Sequence, residues 1–292
     1  MSSLLRHHLS NASLFKLVSF LFWNWLYFMT FEHAKDRGPE WCSRVLTVLH
    51  GTVAVVGGYT QCQLPLSKLN LSRRLLPTQY ILMIWSWGYF AFDLLWCLVY
   101  WSESRVILFH HLAALLSITR YMHKEHTGCT FACTLVLMEL TNPLLQARWF
   151  LKKLGFGDTL LYTIVEVMYL VLFLFLRGIV GTAGMYWIFT SDFFDLEEKI
   201  MSASLYVVSL IFIYDIAGYI RYKYKHEIVS WFCFYREGVS TSGDCAASDP
   251  LASRVLASEV RTPPPPFLRA ARMRVLACCY NAVTASDPHA YC

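Results

Sequence analysis

Two adjacent histidines, His110 and His111, lie in Val106 to Tyr121, a run otherwise apolar enough and nearly long enough to sit in a lipid bilayer. An ionisable residue near the bilayer centre costs roughly 2.5 to 3.5 kcal/mol on insertion scales and, where it occurs, faces a bundle interior or a wet cavity. Imidazole changes charge near neutral pH, so a buried pair suits general-base or nucleophilic work, or the holding of a polar headgroup. The pair is not alone. His50, Asp93, Glu139 with Asn142 and Gln146, Glu166 with Arg177, and Asp215 put a polar residue in nearly every apolar stretch after the first. Such a distribution predicts a shared polar interior, and His50, Asp93, His110, His111, Glu139, Asn142, Gln146, Glu166, Arg177 and Asp215 are the expected lining of an intramembrane lipid cavity.

Helical spacing tests which of these residues can meet. Glu139, Asn142 and Gln146 follow i, i+3, i+7 and share one stripe. His110, Ala114, Ser117 and Tyr121 form another, with His111 turned about 100° away, so only one histidine points straight inward. Glu166 and Arg177 share a face about three turns apart, and each needs a partner from another helix. Pro143 removes a backbone donor inside the fifth stretch and predicts a kink that frees the Glu139 carbonyl. Within a membrane, such a carbonyl must be satisfied by protein or water.

The elements that position these groups are membrane helices. Hydrophobic residues make up 56% of the chain and charged ones 15%, against roughly 25% charged in ordinary soluble domains. With so few charges to cover an outer surface, most of this chain must take lipid as its solvent. About seven stretches approach the ~20 residues needed to span ~30 Å: 12–31, 42–60, 79–101, 105–122, 128–147, 159–189 and 200–222. The expected class is an all-α membrane protein. The sixth stretch exceeds one perpendicular span and is expected to tilt, or to end near Gly178, Gly181 and Gly184. The first is rich in aromatic residues and lacks a cleavage site, so it reads as a retained anchor.

Basic residues of short loops set orientation. Lys35, Arg37, Arg44, Arg105, Arg148, Lys152, Lys153, Arg221, Lys223 and Lys225 fall on the side assigned to the cytosol. Arg6, Lys68, Arg73, Arg74, Arg120, Lys124 and Lys199 fall opposite, with Asp192, Asp195, Glu197 and Glu198. The N-terminus is therefore expected outside the cytosol and the C-terminus inside it. The sequons at Asn11 and Asn70 lie on the non-cytosolic side, and Asn70 is the better glycosylation candidate. Among the ten cysteines no zinc-type C-x-x-C pair occurs; Cys129 and Cys133, one turn apart, read as packing residues. Residues 226–292, with the run Pro263 to Pro266, read as a mostly disordered cytosolic tail. The remaining histidines lie in termini and loops, and a net charge of +5 in such a chain implies no nucleic-acid role.

Several separated motifs occur in an order that resembles the TLC-domain family, which includes the ceramide synthases and the translocating-chain-associating membrane protein. They are Trp41-Cys-Ser-Arg44 with His50, Gly88-Tyr-Phe-Ala-Phe-Asp93-Leu, His110-His111, and Glu139-Leu-Thr-Asn142-Pro-Leu-Leu-Gln146-Ala-Arg148-Trp149-Phe150. The resemblance covers roughly residues 40 to 225. It implies a six-helix bundle around a lipid-accessible cavity, preceded here by one extra span within residues 1–39. Ceramide synthases carry a His-His pair in an acyl-transfer site, which His110-His111 match. They also carry two aspartates three residues apart, where this chain has Glu139 and Asn142, so the second carboxylate is missing.

The expected function is lipid binding, sensing or regulation of membrane lipid composition, with a sphingolipid, phospholipid or fatty acyl chain as partner and no required cofactor. The alternative is an acyl-CoA-dependent N-acyltransferase. There His110 or His111 would act as nucleophile or general base, Glu139 would orient the imidazole, and Asp93 or Asp215 would stabilise its charged form, with acyl-CoA as co-substrate. A metal oxygenase needs several histidine boxes, and the single bare pair supplies no such set. The expected home is the endoplasmic reticulum or the plasma membrane.

Overall fold

A computed structural model describes residues 3–62, 74–100, 105–124 and 126–225. The expected tail and Asn70 lie outside these residues. All elements described are helical: α1 (Ser3–His33), α2 (Pro39–Gln61), α3 (Pro77–Tyr100), α4 (Arg105–Tyr121), α5 (Gly128–Glu139), α6 (Asn142–Lys153), α7 (Leu160–Phe173), α8 (Gly181–Thr190) and α9 (Leu196–Lys223). Sequence signals explain several boundaries. Pro39 and Pro77 open α2 and α3, where a missing amide proton leaves no intrahelical bond unmade. The Thr159 hydroxyl caps α7 by accepting from the Tyr162 amide at 3.3 Å. Lys152 and Lys153 close α6 where cations complement the helix dipole.

Each of the seven apolar stretches is helical over most of its described residues. Among the described residues, five helical segments are long and apolar enough to cross a membrane unaided: 12–33, 77–100, 128–153, 160–190 and 196–223. Glu40, Arg44 and His50 dilute the apolar character of α2, and the 17 residues of α4 rise only about 26 Å against the ~30 Å of a hydrocarbon core. The long sixth stretch does not break at its glycines. A π-helical segment, Leu174–Val180, joins α7 to α8 without interruption.

The chain divides into two compact units, one reaching to Leu210 and one beginning at Ile211. In the first, α3 packs against α1, α2 and α4, while α5 lies on α2. Trp23 of α1 is fully buried, and its indole nitrogen donates to the Trp85 carbonyl at 3.1 Å. Leu14, Phe15, Val18, Leu21, Trp25 and Phe28 stay exposed on the same helix, the outward surface expected of an anchor in lipid. Two close approaches require glycine. A Cβ at Gly58 would lie 2.7 Å from the Val136 side chain, and one at Gly88 would lie 2.7 Å from the Ser19 backbone.

One end of the bundle is cross-linked. Cys62, just after α2, forms a disulfide with Cys133 of α5. The packing role expected for Cys133 is thereby corrected, because helical periodicity related it to Cys129 but could not reveal a partner 71 residues away. Cross-linking a loop of that size is worth about 2–4 kcal/mol. Cys62→Ser is expected to lower stability by that amount, and reductant to abolish the difference between the two proteins in a thermal melt.

The same end carries ion pairs from the last turn of α4 and the loop after it to the residues around the start of α9. Lys124 lies 2.8 Å from Asp195 and 3.3 Å from Glu198, while Arg120 pairs with Glu197. Burial alone pulls Lys124 down, but the Asp195 hydrogen bond and the Glu198 charge outweigh it and leave its pKa raised. The hydrogen bond from Lys124, helped by its charge, lowers Asp195. The depressed carboxylate contributes stability above its unfolded value of 3.8, and loses it as pH falls through the lower folded value. The raised ammonium contributes below its unfolded value of 10.5, and loses it as pH rises through the higher folded value. The protection of amides in residues 191–199, relative to their intrinsic exchange rates, is therefore expected to hold between these limits and to fall beyond either one, with Lys124→Met lowering it throughout.

Candidate polar site within the bundle

The expected Glu139 stripe forms a continuous chain of hydrogen bonds. Asn142 Nδ2 donates to Glu139 Oε2 at 2.9 Å, Gln146 Nε2 donates to Asn142 Oδ1 at 3.2 Å, and Arg44 Nη1 of α2 donates to Gln146 Oε1 at 3.0 Å. Arg44 in turn holds Glu40 at 2.8 Å and lies over the Trp149 ring. Pro143 permits this continuity. Leu140 and Thr141 form a turn between α5 and α6 but keep right-handed helical backbone angles, so Glu139, Asn142 and Gln146 stay on one stripe. Next to the Glu139 carbonyl that Pro143 leaves without an amide donor, the Met138 carbonyl gains a side-chain donor. It accepts from Arg177 Nη2 at 2.7 Å.

Arg177 projects from the π-helical segment and is buried. Its Nη1 donates to Ser209 Oγ of α9 at 3.1 Å, and its charge lies within electrostatic reach of Glu139. Single π turns often mark functional positions because they re-aim one side chain. Glu166, fully buried on α7, accepts from Arg148 Nε at 2.8 Å and from the Tyr162 hydroxyl at 3.1 Å. Both residues of this face thus have the partners that spacing demanded, each from a different helix. Arg148, a basic residue that loop charges alone assign to the cytosolic side, is a mostly buried counter-ion.

The histidines adjoin this chain of hydrogen bonds through His50. His111 Nε2 of α4 lies 3.2 Å from Asp93 Oδ2 of α3. His110 is half-buried, its ring centroid 5.6 Å from that of His111. His50 of α2 is fully buried, stacked on Tyr89 at 3.9 Å with 7° between the rings, and its Nδ1 lies 3.8 Å from Glu139 Oε2. Neither His50 ring nitrogen has a hydrogen-bond partner among the described residues. Asp93 is the carboxylate against His111, and Glu139 the one nearest His50. By the helical rise, His111, Asp93 and His50 lie about 9 to 16 Å in from the end at which α2 and α4 begin and α3 ends, well inside a ~30 Å core.

Residues 40–224, more than half of the chain, match the TLC domain. The chain belongs to the TLC-domain family. It is also 35% identical over 97 residues to TLC domain-containing protein 4 A of Dictyostelium discoideum, a match that takes in 31% of this chain and 36% of that relative. The TLC match runs from the first turn of α2 to the end of α9, so the polar layer and all of its helices fall inside the domain, while α1 precedes it.

Within this TLC domain the layer gathers His50, Asp93, His111, Glu139, Asn142, Gln146 and Arg177, with His110 beside His111 and Glu166 paired separately with Arg148. Asp215 departs from expectation. It is exposed and belongs to the unit beginning at Ile211, since the face that buries Leu205, Val208 and Ser209 ends with the first unit at Leu210. Sequence reasoning missed Tyr89 and Cys97. Tyr89 covers His50 and donates to Thr47 Oγ1 at 3.0 Å. Cys97 follows Asp93 by four residues, a spacing that puts thiol and carboxylate on one face of α3.

Proposed function

We propose that this TLC-domain protein binds a membrane lipid whose headgroup is gripped by the polar layer, and that it thereby senses or regulates membrane lipid composition. The observation that carries the reading is the graded burial of the layer. His50 and Glu166 are sealed at 0%, whereas the side chains of His111 and Asp93 keep 13% and 11% exposure. This reachable pair sits on helices whose outer faces, with Phe109, Leu112 and Leu116 on α4 and Leu95 and Val99 on α3, are apolar and exposed. A headgroup able to hydrogen bond with His111, His110 and Asp93, with its acyl chain along those faces, fits this chemistry. A sphingolipid, a phospholipid or a fatty acyl chain with a polar terminus has the required form.

One contact supports a second reading. A carboxylate 3.2 Å from an imidazole can orient and charge-stabilise a general base, so Asp93 and His111 suit an acyl-CoA-dependent N-acyltransferase. The amide of Asn142, already donating to Glu139, stands where ceramide synthases have a second acid, and this ranks acyl transfer below binding. Native mass spectrometry of the purified protein is expected to show a co-purifying lipid, and incubation with acyl-CoA and a sphingoid base to yield no product. Turnover with that pair would reverse the ranking, and a protein that never retains lipid would sink the first reading.

The Cys62–Cys133 disulfide supports the orientation read from the loop charges. Disulfides persist where the compartment is oxidising, and we take the end carrying Cys62 to face the lumenal or extracellular side. With α1 running toward the opposite end, this proposal puts the start of α1 outside the cytosol, in line with the loop charges. The endoplasmic reticulum and the plasma membrane both provide such a pair of faces.

A further inference from the structure

Three side chains on α3 and α4 converge in a way that lipid binding does not require. Asp93 and Cys97, four residues apart on α3, face His111 of α4, and one ligand-capable atom from each lies within 4.8 Å of the others. The cluster is inside the bundle, with Asp93 and Cys97 buried and His111 half-buried. We propose that Asp93, Cys97 and His111 form a zinc site with one open position. The proposal does not rest on the lipid reading.

Geometry is the first support. Tetrahedral zinc with nitrogen and oxygen ligands at about 2.0–2.1 Å sets those two atoms about 3.3 Å from each other. His111 Nε2 and Asp93 Oδ2 are 3.2 Å apart. A thiolate at about 2.3 Å from the same ion would lie about 3.5 Å from both. The observed limit of 4.8 Å leaves that closure to a small rotation of the Cys97 side chain.

Charge is the second support. Bound ligands are a carboxylate, a thiolate and a neutral imidazole. One negative charge from Asp93 and one from Cys97 balance a divalent cation, so the filled site has no net charge in a medium where an uncompensated ion is prohibitive. The donor set also selects the metal. A thiolate disfavours magnesium and calcium, which take oxygen ligands, and the mixed nitrogen, oxygen and sulfur set suits zinc.

Three protein ligands leave a fourth position for water or a lipid headgroup oxygen, the arrangement of zinc sites that act on a ligand rather than merely brace a fold. His50 lies close enough to feel the charge of this cluster. It is fully buried, has no hydrogen-bond partner on either ring nitrogen, and lies within electrostatic reach of His111. One chemical consequence follows for the histidine pair. With its Nε2 lone pair on the metal, His111 cannot serve as base or nucleophile, and any such role falls to His110.

The test is metal analysis of the full chain purified in detergent, equilibrated with zinc and freed of loosely held ion on a chelating resin. About one zinc per chain is expected for the wild type, with a sulfur scatterer at about 2.3 Å in X-ray absorption. Asp93→Asn, Cys97→Ala and His111→Gln should each lower retention roughly tenfold or more. Cys42→Ala, which removes a buried thiol outside the cluster, should retain zinc fully. The absorption measurement needs no variant, so a poorly folding substitution does not shield the proposal. Wild-type protein that holds less than about one zinc per ten chains after loading, or a zinc environment without sulfur, overturns it. So does a Cys97→Ala protein that retains as much zinc as wild type. Lipid retained by a zinc-free wild type would defeat the metal site and leave the lipid reading standing.

Discussion

Replacing Arg148 with Met is expected to destabilise the bundle by about 3–5 kcal/mol, far more than a basic residue near a helix end ordinarily contributes. The reason lies in its partner. Glu166 is fully buried on α7, and the guanidinium at 2.8 Å is the charge that compensates it. Removing one member of a buried pair leaves the other as an uncompensated charge, whereas removing both is often close to neutral. Arg148→Met combined with Glu166→Leu should therefore recover most of the loss, and Glu166→Gln alone should fall between. Thermal melts of the four proteins in one detergent make the comparison. A single Arg148→Met variant within about 1 kcal/mol of wild type would reduce the contact to a surface pair.

Arg177→Leu is expected to cost a similar amount, about 3–5 kcal/mol, by a different route. Arg177 spans three helical segments, donating to the Met138 carbonyl at 2.7 Å and to Ser209 at 3.1 Å from its place in the π-helical segment. In hydrocarbon an unsatisfied carbonyl has no water to turn to. The loss should appear locally as well as globally, with faster amide exchange in residues 138–146 around the Pro143 break. Arg177→Lys should recover only part of the stability, because a single ammonium cannot reproduce the planar fork that serves both acceptors. Unchanged exchange in residues 138–146 would mean that the break is held by something other than Arg177.

These two arginines show what the sequence makes legible. Helical periodicity placed Glu139, Asn142 and Gln146 on one stripe, and the structure joins them in series because residues three and four apart on a helix are always neighbours. The same rule showed that Glu166 and Arg177 could not satisfy one another. It could not name Arg148 or Ser209, since partner choice depends on helix packing, which periodicity does not encode. Pro143 announced the turn between α5 and α6, but not that Arg177 would meet the neighbouring carbonyl of Met138 there. Cys62 with Cys133, and Cys97 with His111, were invisible for the same reason as Arg148. Asp215 looked inward on hydropathy alone, yet hydropathy does not say where a compact unit ends.

The central claim is that a lipid sits against the His110, His111 and Asp93 portion of this layer. Photocrosslinking with a lipid carrying its reactive group next to the headgroup tests it most directly, with labelled peptides mapped by mass spectrometry. The predicted result is labelling concentrated in α4 and the Asp93 turn of α3, falling roughly tenfold when His110→Ala and His111→Ala are combined in a protein that keeps its wild-type melt and disulfide. Labelling spread along the exposed faces of α1 and α7, and indifferent to the double substitution, would contradict the account.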